Sequence, residues 1–187
     1  MFILFALPIG LVIGLALGGR IAGLAELRFC WPWLFVSGLL VQIVLFSGPV
    51  SERIGELGSP IYVASTAIVF LAVLANRATP GFPVVALGAA SNLLAIVANG
   101  GYMPASAAAM AALGKVDPSV YSNSTIRADA MLAPLTDVFA LPAWLPFANV
   151  FSVGDVIIGL GVAVTIVVAM RAAGASRGAA EQLPRMS

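Results

Sequence analysis

Histidine is absent from this 187-residue chain, and cysteine occurs once, at Cys30. Without an imidazole, histidine ligation of haem, the usual zinc sites and histidine acid/base chemistry are all excluded, and a single thiol leaves no intramolecular disulfide. Charge is nearly as scarce. Only 9% of residues are Asp, Glu, Lys or Arg, where soluble domains carry roughly a quarter. A net charge of +1, with basic residues scattered rather than gathered in a stripe, removes the footprint of a nucleic-acid binder. Any chemistry falls to carboxylates, amides, hydroxyls and tyrosines. Neither a cofactor nor a metal is expected.

Apolar sequence fills the space instead, at 61% of all residues. Five runs approach the length that crosses a bilayer, about 17 to 25 residues at a rise of about 1.5 Å each. They are 2–18, 31–47, 60–76, 82–98 and 151–170. The expected fold class is all-α: an integral membrane helical bundle of about five transmembrane helices, forming a single domain over 1–171. A flexible cytoplasmic tail is expected over 172–187. The first run lacks a basic segment before it and is read as a span rather than a cleaved leader. Gly10, Gly14 and Gly18 recur every four residues and lay a smooth groove for a neighbouring helix, inside the monomer or at a dimer interface.

Alternating passes divide the basic residues unequally. Arg20, Arg28, Arg77, Arg171, Arg177 and Arg185 fall on one side; Arg53, Lys115 and Arg127 fall on the other. The positive-inside rule then places the N-terminus outside and the C-terminus in the cytoplasm. Residues 99–150 form a long outer loop. Its second half mixes large apolar residues with Pro134, Pro142 and Pro146, which prevent a continuous helix, so it is expected to fold back over the bundle or lie among the headgroups. Ser106 is a candidate cap for a short helix that Gly114 would stop. Asn123-Ser124-Thr125 fits a glycosylation sequon.

Polar residues inside the runs are few, and three of them fall at comparable depth in the outer leaflet. Gln42 lies about one turn below the outer end of the second run, Asn92 about two turns below that of the fourth, and Asp155 about one turn inside the fifth. Asn99 sits at the rim, seven residues from Asn92 and on the same face. Each has a plain role: the amides can bond across helices, and Asp155 can cap a helix begun by Ser152 or Asn149. A carboxylate in an apolar span equally suggests function. Asn99-Gly100-Gly101 is either a sharp helix exit or a nest of N–H groups for an anion. Asp137 lies eighteen residues before Asp155. Brought together, the two could act as acid and base on a water; otherwise Asp137 starts a turn or pairs with Arg127 or Lys115.

Two resemblances follow from particular segments. Leu17-Gly18-Gly19-Arg20, Ala98-Asn99-Gly100-Gly101-Tyr102-Met103-Pro104 and Asn149-Val150-Phe151-Ser152-Val153-Gly154-Asp155 resemble a family of small bacterial multi-pass membrane proteins of unknown function. That resemblance implies a bacterial cytoplasmic (inner) membrane location and leaves the function blank. Phe151-Ser152-Val153-Gly154-Asp155, with Asp137 upstream and Gly88-Ala89-Ala90-Ser91-Asn92, is similar to the last two helices of lipoprotein signal peptidases. It implies aspartyl hydrolysis at the outer leaflet, although Ser152 replaces that family's Asn, Gly154 its Ala, and Ala95-Ile96 its Asp-Arg.

The leading expectation is a non-catalytic or accessory membrane protein. It would bind a lipid-like ligand, or a membrane protein partner in a larger complex, at an outward polar pocket of Gln42, Asn92, Asn99, Gly100, Gly101 and Asp155. Membrane lipids are the expected surroundings and nucleic acid is not a partner. The alternative is a membrane aspartyl hydrolase with Asp137 and Asp155 as its dyad. A transporter would need a polar path inward, where the fifth run offers little beyond Thr165.

Overall fold

The computed structural model describes residues 2–113, 124–126 and 129–181. Most of these are helical. A 3-10 turn, Phe2–Phe5, leads into α1 (Ala6–Ala16), followed by α2 (Pro32–Leu45), a short α3 (Gly48–Ser51), α4 (Gly58–Ala75), α5 (Phe82–Ala98), α6 (Ala107–Ala112) and α7 (Val153–Glu181). Prolines sit in the first turns of α2, α3 and α5, where the missing N–H costs no hydrogen bond.

Two helical stretches, Gly55–Ala75 and Val153–Gly174, are long and apolar enough to cross a membrane. Phe2–Ala16, Pro32–Leu45 and Phe82–Ala98 are apolar but shorter, so five full-length spans are not present as regular helix. The chain shortens them by physical means: a 3-10 start before α1, a left-handed Trp31 ahead of Pro32, and a left-handed Gly81 ahead of α5. At the other end α7 runs past residue 170 to Glu181, into the stretch expected as a flexible tail. Ala172, Ala173, Ala175, Ala179 and Ala180 favour that extension.

The long helices alternate in direction. Asn76, at the end of α4, bonds to both backbone groups of Cys30 just before α2, which sets α2 against α4 head to tail. The Ser59 hydroxyl near the start of α4 donates to the carbonyl of Gly100 just beyond α5. Asn92, late in α5, bonds Asp155 early in α7, while Thr165 farther along α7 donates to the Pro80 carbonyl before α5. Helix α1 runs parallel to α7, with Gly10 against Ile166 and Gly14 against Met170. Packing therefore runs in the order α2, α4, α5, α7, α1. The small-residue groove of α1 seats its own chain's last helix. Gly18, with a positive φ of 76°, serves as the turn that ends α1, and its carbonyl lies against Gly174 of α7.

The mostly helical character is as expected, and the loop after α5 adds a few short strands to it. Its described parts contain β1 (Met103–Ala105) paired in parallel with β2 (Ser124–Ile126), and β3 (Phe139–Ala140) paired antiparallel with β4 (Val150–Phe151). Prolines at 134, 142 and 146 prevent a continuous helix in the second half of the loop; a 3-10 turn forms at Ala133–Leu135, and short strand pairs satisfy part of the remaining backbone. The α6 cap is as expected, with the Ser106 hydroxyl accepting from the Ala109 N–H. The proposed stop at Gly114, the partners Lys115 and Arg127, and Asn123 of the sequon lie outside the described residues. Side chains of Leu45, Tyr62, Ala95, Ile96 and Met103 form the principal buried cluster, where this loop meets α2, α4 and α5. Many large apolar residues remain on the outside of the helices, Val12, Leu40, Leu87 and Leu160 among them.

Candidate functional site

Helix α7 begins with a reciprocal cap. The Ser152 hydroxyl accepts from the Asp155 N–H at 3.0 Å, and one Asp155 carboxylate oxygen accepts from the Ser152 N–H at 3.0 Å. This is the Ser-x-x-acid arrangement that satisfies two orphan donors at once, and the carboxylate also meets the positive end of the helix dipole. Asn92 of α5 locks onto it from the side. Its amide nitrogen donates to the other Asp155 oxygen at 2.9 Å, and its oxygen accepts from the Ser152 hydroxyl at 2.8 Å. Ser152 is completely buried.

Close approach of α5 and α7 makes this possible. A side chain at Gly154 would overlap the Asn92 amide and crowd the Gly88 backbone; one at Gly88 would crowd Gly154 and Ile158. The two glycines therefore set the spacing at which a short asparagine reaches a short aspartate. Across the way, on α2, the Gln42 amide donates to the Thr66 hydroxyl of α4 in a longer 3.3 Å bond.

These groups share one cavity of about 280 Å³. Asn92 and Asp155 line it from α5 and α7, and Gln42, Thr66 and Tyr62 from α2 and α4. Asp137 and Asn149 of the loop after α5 complete the polar lining. Phe2, Phe70, Ile96 and Ile158 supply apolar wall. Asp137 is 4% exposed, and its backbone joins the loop to β1, donating to the Pro104 carbonyl and accepting from the Ser106 N–H. Above the N-terminal turn, Phe2 stacks on Phe151 at 4.3 Å between ring centres, and Phe139 stacks on Phe151 at 5.4 Å.

Of the residues singled out in the sequence, Gln42, Asn92, Asp137 and Asp155 line this cavity; Asn99, Gly100 and Gly101 do not. Asn99 is buried and acts as a clamp. Its amide donates to the carbonyls of Ala95 and Met131, and its oxygen accepts from the Met131 N–H. The N–H groups of residues 99, 100 and 101 all bond back to carbonyls of α5, so the anion-nest reading fails for want of free donors. Gly100 and Gly101, at φ of 72° and 87°, form the sharp exit instead. Sequence reasoning did not single out Thr66, Tyr62 or Asn149 as lining. The Ser-x-x-Asp cap spacing, and the paired glycines at 81 and 88 and at 154 and 161, were available signals for the α5–α7 seam.

Fold and cavity together define a mostly helical protein with two membrane-length apolar helices and a mainly apolar recess, framed by helices and loop, that carries several amide and carboxylate groups. The chain belongs to a family of unknown function, DUF5317, whose model matches residues 26–167. No curated protein and no solved structure matches it.

Proposed function

We propose that the chain is a five-pass protein of a bacterial cytoplasmic membrane, N-terminus outside, whose outward cavity binds a lipid-like ligand. One observation carries the reading: amide and carboxylate groups from several elements line a recess inside a protein whose outer helical surface is apolar. Exposed aliphatic side chains along α1, α2 and α5 suit contact with acyl chains. The shorter helices cross by local thinning of the bilayer or by using the flanking turns. Trp31 and Trp33 at the start of α2, and Trp144 in the β3–β4 loop, are exposed and suit the two interfaces.

Orientation is tested with the chain's own thiol. Cys30 is exposed at the end of the bundle assigned to the cytoplasm. A membrane-impermeant maleimide should label it only after the cells are opened, whereas Ser47→Cys in a Cys30→Ser background should label in intact cells. The opposite pattern inverts the topology and puts the cavity in the cytosolic half. Ligand binding is tested by native mass spectrometry of protein extracted with its lipids: a retained lipid is expected, and it should be lost when Ala89→Phe fills the recess.

A second reading is favoured by the presence of Asp137 and Asp155 on one cavity. In it, one carboxylate takes a proton from water as the water oxygen bonds to a substrate carbonyl carbon. The other donates a proton to the leaving nitrogen or oxygen as the old bond breaks. Cleavage of a lipidated peptide by the native protein, abolished separately by Asp137→Asn and Asp155→Asn, would establish it. Absence of cleavage by a folded native protein would remove it.

A further inference from the structure

The cavity has hydrogen-bonding capacity left over, and that surplus is mostly of one kind. Asn149 donates its amide nitrogen to the Val150 carbonyl, which fixes its orientation and leaves its oxygen buried with no hydrogen-bond partner among the described residues. Each Asp155 oxygen accepts one bond and retains a further lone pair. Gln42 also lines the recess and spends an N–H on Thr66, so its carbonyl oxygen keeps its lone pairs. Among the described residues that line the recess there is no lysine or arginine. A carboxylate or phosphate placed here would meet acceptors and like charge; an ammonium or a hydroxyl would meet partners.

Size narrows the choice. At about 280 Å³ the recess lies at the lower edge of the roughly 300–1,000 Å³ usual for ligand pockets, so it holds a small head and the beginning of one chain. Phe2 and Ile3 line it from the N-terminal end of α1, and Gln42 lines it from α2. Those two elements are the ends of the packed row, α2 resting on α4 and α1 on α7. The rest of a chain can leave for the bilayer between them.

Resting on the lipid-binding reading above, we propose that the ligand is a single-chain amphiphile whose head donates hydrogen bonds, an amine or a hydroxyl, seated against Asp155, Asn149 and Gln42. Its chain passes out between α1 and α2. Anionic amphiphiles of the same length are excluded.

The test uses the full-length protein in phosphatidylcholine nanodiscs and three C16 probes carrying a diazirine near the head: a primary amine, an alcohol and a carboxylic acid. After photolysis, labelled residues are located by mass spectrometry. The amine or the alcohol should label cavity residues such as Ile3, Val69 and Ile158 at least fivefold more than the acid does. Ala89→Phe, or Val69→Phe should the first variant fail to fold, should abolish that labelling while outward residues such as Leu87 stay labelled. Asn149→Leu, which leaves the α7 cap intact, should lower labelling by the amine and alcohol several-fold. Equal labelling of the cavity by the acid would overturn the donor-head proposal and leave lipid binding standing. Labelling confined to the outer face with all three probes would sink both.

Discussion

The two sides of the cavity are built on opposite principles. On the α5–α7 side, Asn92, Ser152 and Asp155 share four hydrogen bonds of 2.8 to 3.0 Å, two within the α7 cap and two across a seam that two glycines bring to backbone contact. On the α2–α4 side and in the loop after α5, Gln42 makes one 3.3 Å bond, and Asn149 leaves a buried oxygen unpaired among the described residues. A closed network fixes geometry and gains stability from it, while an unpaired buried acceptor costs about 1–3 kcal/mol. The comparison teaches that the first side is chiefly architecture that a ligand can touch. The second side has polar capacity that the fold itself does not use.

The largest expected effect comes from forcing the seam apart. Gly154→Leu places a branched side chain where the Asn92 amide and the Gly88 backbone stand, with no flexible neighbour to give way. Destabilisation of about 3 kcal/mol or more is expected, read as loss of the folded form in a detergent thermal melt. A near-normal melt would mean that α5 and α7 are not held this tightly, and the contrast between the two sides would collapse.

Removing the carboxylate comes next. Asp155→Ala strands the Ser152 N–H and one Asn92 donor, and about 2–3 kcal/mol should be lost in the same assay. Ser152→Ala should cost about 1 kcal/mol as a cap deletion. A double-mutant cycle of Asn92→Ala with Asp155→Ala should return a coupling of about 1 kcal/mol; additivity within about 0.3 kcal/mol would show that the two do not act as a unit.

Asn99 lets the architecture be probed away from the cavity. It holds Met131 by both backbone groups, just as Asn76 holds Cys30 at the opposite end of the bundle. Asn99→Leu should loosen the outer loop before it unfolds the helices. Backbone exchange near Met131 should rise about tenfold, with the overall melt lowered by about 1–2 kcal/mol.

These clamps show how far the sequence could be read. Helical segments were legible because apolar runs of fixed length carry their own signal, and residues 82–98 coincide with α5. Gln42, Asn92 and Asp155 do line one cavity, and their positions within antiparallel apolar helices were what suggested it. Less readable was anything that depends on which helices touch. Asn99 and Asn92 share a helix face and a residue type, yet one pins the loop and the other lines the cavity, because the difference lies in partners 32 and 63 residues away. The strand pairs were hidden for the same reason, each being two or three residues long with its partner far along the chain or across a proline-rich loop.

The smallest predicted change in stability is the most useful for the ligand. Gln42→Leu removes one long bond to Thr66 and adds apolar surface to a half-buried position, and amide contacts between membrane helices average about 0.6 kcal/mol. The melt should therefore shift by no more than that, in either direction. On the proposed binding mode, retention of a bound amphiphile should nevertheless fall several-fold, since the Gln42 oxygen would serve the ligand rather than the fold. Were Gln42→Leu to unfold the protein as readily as Asp155→Ala, both sides of the cavity would be architectural. Polar capacity there would then be evidence of packing rather than of a binding site.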